Sequence, residues 1–140
     1  HKMIDTTISK TIKTITVDSL KKNYYRFQIL DAREPSEYEV SHLKQAKLVG
    51  YNKFNLNKTK KILDKNTPIV VYCSIGYRSE KIAEKLAAKG FEVYNLYGGI
   101  FEWKNLDNTV IDKKGNPTEK VHCFDENWGV WLEKGEKVYD

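Results

Sequence analysis

Few of the 140 residues are of the types that cross-link a chain or hold a metal ion. There are two cysteines, Cys73 and Cys123, and three histidines, His1, His42 and His122. Two cysteines do not make the disulfide framework of a small secreted domain, although a single bridge between them stays open. No Cys-x-x-Cys pair occurs and the histidines are scattered, so we expect no metal site.

Long apolar runs are also absent. None approaches the roughly 18 residues that a membrane-spanning helix requires, so we expect no membrane span. The net charge of +5 is mild and the lysines are spread along the chain, which indicates a solvated surface rather than a nucleic-acid partner. A weak preference for small anionic substrates fits this charge equally well. The chain starts at His1, and the compartment stays open: cytoplasmic, or the cell envelope if a leader was removed before His1.

Strand and helix patterns alternate along the chain. Hydrophobic residues make up 40% and charged residues 31% of it, as in a globular protein with one core. Residues 68–72 form an unbroken apolar run rich in β-branched residues, typical of a strand buried on both faces of a parallel sheet. We predict strands at residues 15–17, 27–30, 46–49, 68–72 and 91–96, and helices starting near residues 18, 35, 56, 79 and 100. The predicted fold class is α/β, with a central, mostly parallel sheet flanked by helices on both faces.

Composition divides the chain into three regions. Residues 1–13 are polar and are expected to form an N-terminal arm, and residues 14–107 contain the strand and helix patterns of one domain. Residues 108–140 are expected to form a C-terminal extension packed on that domain. The extension begins with a polar linker that contains glycine and proline and reaches to residue 118.

The tail after this linker has two interpretations. Trp128, Trp131 and Leu132 have the spacing of a helical turn and are expected to add a packing layer to the domain. Alternatively, His122 or Cys123 approaches the functional site, where Cys123 acts as a resolving thiol.

The most informative stretch is Cys73-Ser74-Ile75-Gly76-Tyr77-Arg78-Ser79, between the predicted buried strand and the next helix. Backbone amides of such a loop, the positive end of the helix dipole and the charge of Arg78 favour a thiolate at Cys73, and a thiolate is a nucleophile. Gly76 permits the tight curl that this loop requires. The same cradle suits an anionic substrate group. The alternative is that Cys73 is a small buried core residue.

Four segments, in this order and at this spacing, resemble the single-domain rhodaneses of the rhodanese-like superfamily. The resemblance covers roughly residues 14–107, and Ser41 and Gln45 depart from it where the family usually has glycine. The four segments are Leu30-Asp31-Ala32-Arg33-Glu34-Pro35-Ser36-Glu37-Tyr38, Ser41-His42-Leu43-Lys44-Gln45-Ala46, Val70-Val71-Tyr72-Cys73-Ser74-Ile75-Gly76-Tyr77-Arg78-Ser79 and Tyr97-Gly98-Gly99-Ile100-Phe101-Glu102-Trp103.

This resemblance implies a rhodanese-like fold and a sulfurtransferase without metal or organic cofactor. Cys73 would attack a sulfur donor such as thiosulfate or a persulfide, carry the sulfur as a persulfide, and pass it to cyanide or to a thiol, including a protein thiol. The carried sulfur would lie in a cradle in which Arg78 is also the expected anion contact. The cradle amides implied are those of Ser74, Ile75, Gly76, Tyr77 and Arg78.

The resemblance also implies supporting residues around the loop. Asp31 and Arg33 would stand at the neighbouring strand end, where a structural ion pair or turn cap is the favoured interpretation. His42 is expected to be a hydrogen-bonded structural residue rather than a general base. Trp103 is expected in the core, with a secondary role in the pocket wall.

Two other functions remain as alternatives. Related phosphatases and arsenate reductases have Cys-x5-Arg, whereas Cys73 and Arg78 form Cys-x4-Arg, a smaller cradle that suits a sulfur atom better than a phosphate. A non-catalytic interaction module would keep the fold and bind a partner through the same loop.

Overall fold

A sheet of five parallel strands forms the centre of the computed structural model, which describes residues 12–140. The strands are β1 (Lys13–Ile15), β2 (Gln28–Asp31), β3 (Lys47–Leu48), β4 (Ile69–Tyr72) and β5 (Val93–Leu96), in the order β1-β5-β4-β2-β3. All four residues of the central strand β4 are buried, as the apolar run predicted. The predicted α/β class with a mostly parallel sheet is confirmed.

The register of the two central strands places the functional candidates at one edge. In β2 and β4, Asp31 pairs with Tyr72, so both strands end at the same level. Cys73 follows directly after Tyr72. Asp31 and Cys73 therefore lie at the carboxyl edge of the sheet, where parallel sheets bind their ligands.

Helices cover both faces of the sheet, and the side chains of β4 point alternately into the two cores that lie between the sheet and these helices. Val70 and Tyr72 belong to the core under α1 and α5, whereas Ile69 and Val71 belong to the core under α3 and α4. The helices are α1 (Val17–Lys22), α2 (Pro35–Val40), α3 (Leu56–Lys61), α4 (Tyr77–Ala87) and α5 (Gly99–Asn105), with a short 3-10 turn at Tyr24–Arg26. None of the helices within residues 12–140 has the length and apolar character to cross a bilayer.

Several element ends differ from the prediction. Strand β1 covers Lys13–Ile15, whereas the strand was predicted at residues 15–17. It ends at Ile15 because Thr16 caps α1, where its side chain accepts a hydrogen bond from the Ser19 N–H at 3.1 Å. Helix α4 begins at Tyr77 instead of residue 79, directly after Gly76. Tyr77 and Arg78 therefore belong to the first turn of a helix and not to a free loop. The arm predicted for residues 1–13 lies almost entirely outside the described residues.

The segment predicted as a polar linker contains a hairpin. Its strands are β6 (Val110–Ile111) and β7 (Pro117–Thr118), which pair antiparallel. Asp112 closes the turn by accepting hydrogen bonds from the backbone amides of Lys114 and Asn116. Such hydrogen bonds from the backbone to an aspartate side chain order a polar turn.

The remainder of the extension forms a second small unit against α2. It comprises β8 (Lys120–His122), α6 (Glu126–Gly129) and β9 (Glu136–Val138), with β8 and β9 parallel. Val121, Cys123 and Leu132 are buried in the same core as α1 and α5. The extension thus adds to the domain core, and the turn after Cys123 reaches the carboxyl edge of the sheet through its contacts with Arg78.

Candidate active site

Cys73 lies inside a curled loop between β4 and α4. Its sulfur accepts a hydrogen bond from the Gly76 N–H at 3.1 Å, and the residue has no exposed surface. Gly76 has a φ of 124°, which a residue with a side chain rarely adopts. The curl therefore depends on glycine, and it aims an amide dipole at the position where negative charge develops on sulfur.

Gly76 is one of the five residues whose amides were predicted to surround a carried sulfur atom. For the other four, a contact with sulfur stays a prediction. The side chain of Ile75 packs into the domain core, so this residue offers its backbone only. Ser79, which the sequence analysis did not single out, lies with its Oγ 3.4 Å from the Cys73 sulfur and donates to Asn95 Oδ1 at 2.6 Å. Asn95 also donates to the Gly76 carbonyl at 3.0 Å, and this contact holds the curl in place.

The N-terminus of α5 is hydrogen-bonded to the backbone of the Cys73 loop. The Ile100 N–H donates to the Cys73 carbonyl at 2.9 Å, and the Phe101 N–H donates to the Ser74 carbonyl at 3.1 Å. Gly99 has a φ of 59°, and a Cβ there would overlap both carbonyl oxygens. The Gly98-Gly99 pair of the fourth motif therefore allows two backbones to approach closely.

Replacing Gly99 with alanine is expected to destabilise the protein by about 1–3 kcal/mol more than backbone strain alone would, because the added Cβ overlaps two carbonyl oxygens, and to disturb the Cys73 loop. Gly115→Ala is the matched control, because Gly115 also has a positive φ of 86° but a Cβ there meets nothing within 4 Å. Urea unfolding of both variants measures the difference. An equal loss in the two variants would assign the effect to backbone conformation alone and would contradict a close approach at the loop.

Arg78 is held by a buried ion pair rather than left free in the loop. Its Nη1 and Nη2 donate to the two carboxylate oxygens of Glu37 at 2.7 and 2.8 Å, and Nη2 also donates to Ser74 Oγ at 3.0 Å. Burial alone would lower the pKa of Arg78, but the hydrogen bonds with Glu37, followed by the negative charges of a Cys73 thiolate and of Glu37, outweigh burial and raise that pKa. Most of the charge expected to meet an anion is thus compensated by Glu37.

One nitrogen of Arg78 makes no hydrogen bond within residues 12–140. Its Nε is buried and has no hydrogen-bond partner among the described residues. The role of Arg78 as an anion contact therefore stays a prediction, for which this Nε–H is a candidate donor. Sequence reasoning missed Glu37 as its partner, although Glu37 is one of the three acidic residues in the first quoted motif.

Asp31 and Arg33 form the structural ion pair favoured for them. Arg33 Nη2 donates to Asp31 Oδ2 at 2.7 Å and to the Ser41 carbonyl at 2.6 Å, and both side chains are fully buried. The Tyr72 hydroxyl donates to the same carboxylate at 2.8 Å. Burial, followed by the charge of Asp31, raises the pKa of Tyr72, which keeps this hydroxyl a donor. No hydrogen bond within residues 12–140 links this network to the Cys73 sulfur.

His42 and Trp103 also have structural contacts. The His42 ring stacks on Tyr38 with centroids 3.9 Å apart, and its Nδ1 lies 3.0 Å from the Tyr38 carbonyl. Trp103 is buried and donates from Nε1 to the Thr109 carbonyl at 2.9 Å. It lines a pocket of about 270 Å³ together with Tyr24. The pocket beside the Cys73 loop does not include Trp103 among its lining residues.

A cleft of about 210 Å³ lies between the first turn of α4, at Tyr77 and Arg78, and the extension. Cys73 itself is not among its lining residues. The Phe124 ring lies 4.6 Å from Arg78 Cζ, and the Trp128 ring lies 6.0 Å from it. Phe124 and Trp128, rather than His122 or Cys123, are thus the residues that the extension brings to this cleft. The cleft is lined by Glu34, Tyr51, Asn52, Tyr77, Arg78, Phe124 and Trp128.

Cys123 is a buried free thiol, as is Cys73. Its sulfur donates to the Val121 carbonyl at 3.5 Å, and burial raises the pKa of this thiol. Both features favour the unreactive, protonated form of Cys123. Across residues 12–140 there is no group of three or more His, Cys, Asp or Glu side chains placed to hold a metal ion.

Comparison with known proteins supports the resemblance drawn from the four motifs. The sequence profile of the rhodanese-like domain matches residues 16–106. The crystal structure of a rhodanese-related protein from Thermoplasma volcanium aligns with a TM-score of 0.65 and 26% identity, covering 71% of this chain and 97% of that one. Two independent kinds of likeness thus agree on the domain.

Three relatives extend the likeness to named proteins. The uncharacterized protein YqhL of Bacillus subtilis (strain 168) is 33% identical over 95 residues, which cover 67% of this chain and 74% of YqhL. The thiosulfate sulfurtransferase GlpE of Coxiella burnetii is 38% identical over 77 residues, 54% of this chain and 70% of GlpE. The tRNA uridine(34) hydroxylase of Aster yellows witches'-broom phytoplasma is 40% identical over 116 residues, 79% of this chain but 36% of the hydroxylase.

Proposed function

The chain belongs to the rhodanese-like family, and we propose that it is a sulfurtransferase that carries a sulfane sulfur on Cys73. The observation that carries this proposal is the curled loop, in which the Gly76 N–H reaches the Cys73 sulfur at 3.1 Å at the start of α4. Likeness to GlpE, named a thiosulfate sulfurtransferase, supports the same reaction class.

In the first half-reaction the Cys73 thiolate attacks the outer sulfur of thiosulfate or of another sulfane donor. The donor's S–S bond breaks, and sulfite leaves with the electron pair when the donor is thiosulfate. Cys73 then holds a persulfide, whose charge the loop amides and the unused Arg78 Nε–H stabilise. An acceptor thiolate or cyanide attacks the outer sulfur in the second half-reaction, and Cys73 departs as a thiolate.

The tRNA hydroxylase relative is the reason to consider a second function. Its sequence identity to this chain, 40%, is slightly higher than the 38% of GlpE, but the match covers only 36% of the hydroxylase. An RNA-modifying activity would therefore need residues beyond the match. An interaction module and a phosphatase are weaker alternatives, because the loop keeps Cys73 and the short Cys-x4-Arg spacing. Sulfur transfer in an assay that contains no RNA is the result that would favour the sulfurtransferase over all three.

The direct test is a mass spectrum of the protein after incubation with thiosulfate. We expect the mass of one added sulfur atom, located on Cys73 after digestion, and its loss with formation of thiocyanate when cyanide is added. Cys123 serves as the internal control and should stay unmodified, since burial raises its pKa. Failure to load sulfur from thiosulfate or from an organic persulfide would refute the proposal.

A further inference from the structure

The cleft beside the loop offers little to an inorganic anion. Arg78 is the only cation among its lining residues, and Glu37 occupies both of its terminal nitrogens. Glu34 adds a carboxylate to the same lining, so the two carboxylates of Glu37 and Glu34 outnumber the one guanidinium of Arg78. The side-chain charges of this cleft therefore give a dianion such as thiosulfate no net attraction, and binding of such a donor depends on the backbone amides of the Cys73 loop.

What the cleft does present is aromatic surface from the extension. Phe124 is 42% exposed although it is a large apolar residue, and its ring lies 5.1 Å from that of Trp128. Tyr51 and Tyr77 complete the apolar wall. A cavity of roughly 150 Å³ holds one benzene ring, so the 210 Å³ of this cleft suffices for one ring with its attached carbon.

The backbone of Phe124 is held in an unusual conformation. Its φ of 69° lies in the left-handed region, which is rare for a bulky residue and costs conformational energy that the surrounding structure must offset. The turn is fixed by the Phe124 N–H, which donates to His122 Nδ1 at 3.0 Å, while His122 Nε2 lies 2.7 Å from Asp140. The extension therefore keeps an apolar ring half-exposed at the mouth of the cleft.

We propose that this cleft binds the apolar body of an organic thiol, and that Phe124 selects such a thiol as the sulfur acceptor. This inference rests on the proposed function. The acceptor thiolate attacks the outer sulfur of the Cys73 persulfide, the S–S bond of Cys73 breaks, and Cys73 takes the electron pair. The product is an organic persulfide, and a proton released by the thiol goes to solvent.

The test loads Cys73 with sulfur and measures single-turnover discharge by phenylmethanethiol and by cyanide. In wild type we expect phenylmethanethiol to discharge the persulfide faster than 2-mercaptoethanol, which lacks the ring. In Phe124→Ala the ratio of the phenylmethanethiol rate constant to the cyanide rate constant should fall about tenfold, as loss of a ring contact implies. Phe124→Leu should recover most of the ratio because it restores apolar surface.

Tyr25→Ala is the matched control, since Tyr25 is also an exposed aromatic residue but does not line this cleft. It should leave the ratio at its wild-type value. An unchanged ratio in Phe124→Ala, or equal discharge by phenylmethanethiol and 2-mercaptoethanol in wild type, would overturn the inference.

A measurement without chemistry separates this inference from the proposed function. Benzyl methyl sulfide, which cannot accept sulfur as a thiol does, should bind the wild type and Cys73→Ser alike in a saturation-transfer NMR titration. Its binding should be lost in Phe124→Ala. Binding without persulfide loading would refute the sulfurtransferase and keep the cleft, whereas loading without binding would refute the cleft alone.

Discussion

Replacing Cys73 with serine is expected to reduce sulfur transfer from thiosulfate to cyanide to below about one thousandth of wild-type turnover. A hydroxyl at this position is a far weaker nucleophile than a thiolate and forms no persulfide. The fold should survive, because a serine oxygen accepts the hydrogen bond that the Gly76 N–H now gives to sulfur. Thiocyanate formation measures the turnover, and the urea midpoint reports the fold.

Cys123→Ser is the matched control for that variant. Cys123 is the other thiol of the chain, it is buried, and its raised pKa leaves it protonated near neutral pH. We expect wild-type turnover within about twofold. Wild-type turnover in Cys73→Ser would exclude the persulfide route, and a large loss in Cys123→Ser with an intact fold would make Cys123 the resolving thiol.

Features encoded by neighbouring residues were predictable from the sequence. The apolar run that became β4 is sufficient to place a central parallel strand, and the chain order then places Cys73 directly at its carboxyl end. The resemblance of four ordered motifs is confirmed by the match to the rhodanese-like domain at residues 16–106. Local pattern and motif order thus suffice for the fold and for the location of the loop.

Contacts between residues distant in sequence were not predictable in the same way. Glu37 and Arg78 are 41 positions apart, and neither local propensity nor charge indicates that they pair. Phe124 reaches the cleft through a left-handed backbone angle, which the sequence does not signal at an aromatic residue. The predicted 108–118 linker became a hairpin because Asp112 accepts two backbone hydrogen bonds.

Replacing Glu37 with glutamine is expected to destabilise the protein by about 3–5 kcal/mol, because it leaves the buried guanidinium of Arg78 without a counter-charge. Glutamine is close in size to glutamate, so the loss reports charge rather than a cavity. Glu84→Gln is the matched control: Glu84 pairs with Lys81 at 4.0 Å on the surface, where about 0.5 kcal/mol or less is expected. Urea unfolding at neutral pH measures both variants.

The double variant Glu37→Leu with Arg78→Met separates charge compensation from packing. If the unpaired charge causes the loss of stability, removing both charges should restore much of the stability that Glu37→Gln loses. Persulfide formation in the double variant should still be slower than in wild type, because the Arg78 Nε–H is gone. The single variants Glu37→Leu and Arg78→Met complete the cycle, and a double variant as unstable as the sum of these two would instead show that the two side chains act independently.

The pH dependence of unfolding tests the same pair without relying on the size of any one substitution. Burial alone would raise the pKa of Glu37, but its hydrogen bonds with Arg78 outweigh burial and lower that pKa from 4.5. A carboxyl group whose pKa is lowered in the folded state stabilises the protein at pH values above its unfolded-state pKa, near 4.5. This contribution is lost as the pH falls through the folded-state pKa.

Wild type should therefore lose stability below about pH 4.5. Glu37→Gln should lose less over that range, since its remaining carboxylates still titrate but position 37 does not. Parallel curves for the two proteins would show that Glu37 keeps an ordinary affinity for protons in the folded state and that its pairing with Arg78 does not add to the pH dependence of stability.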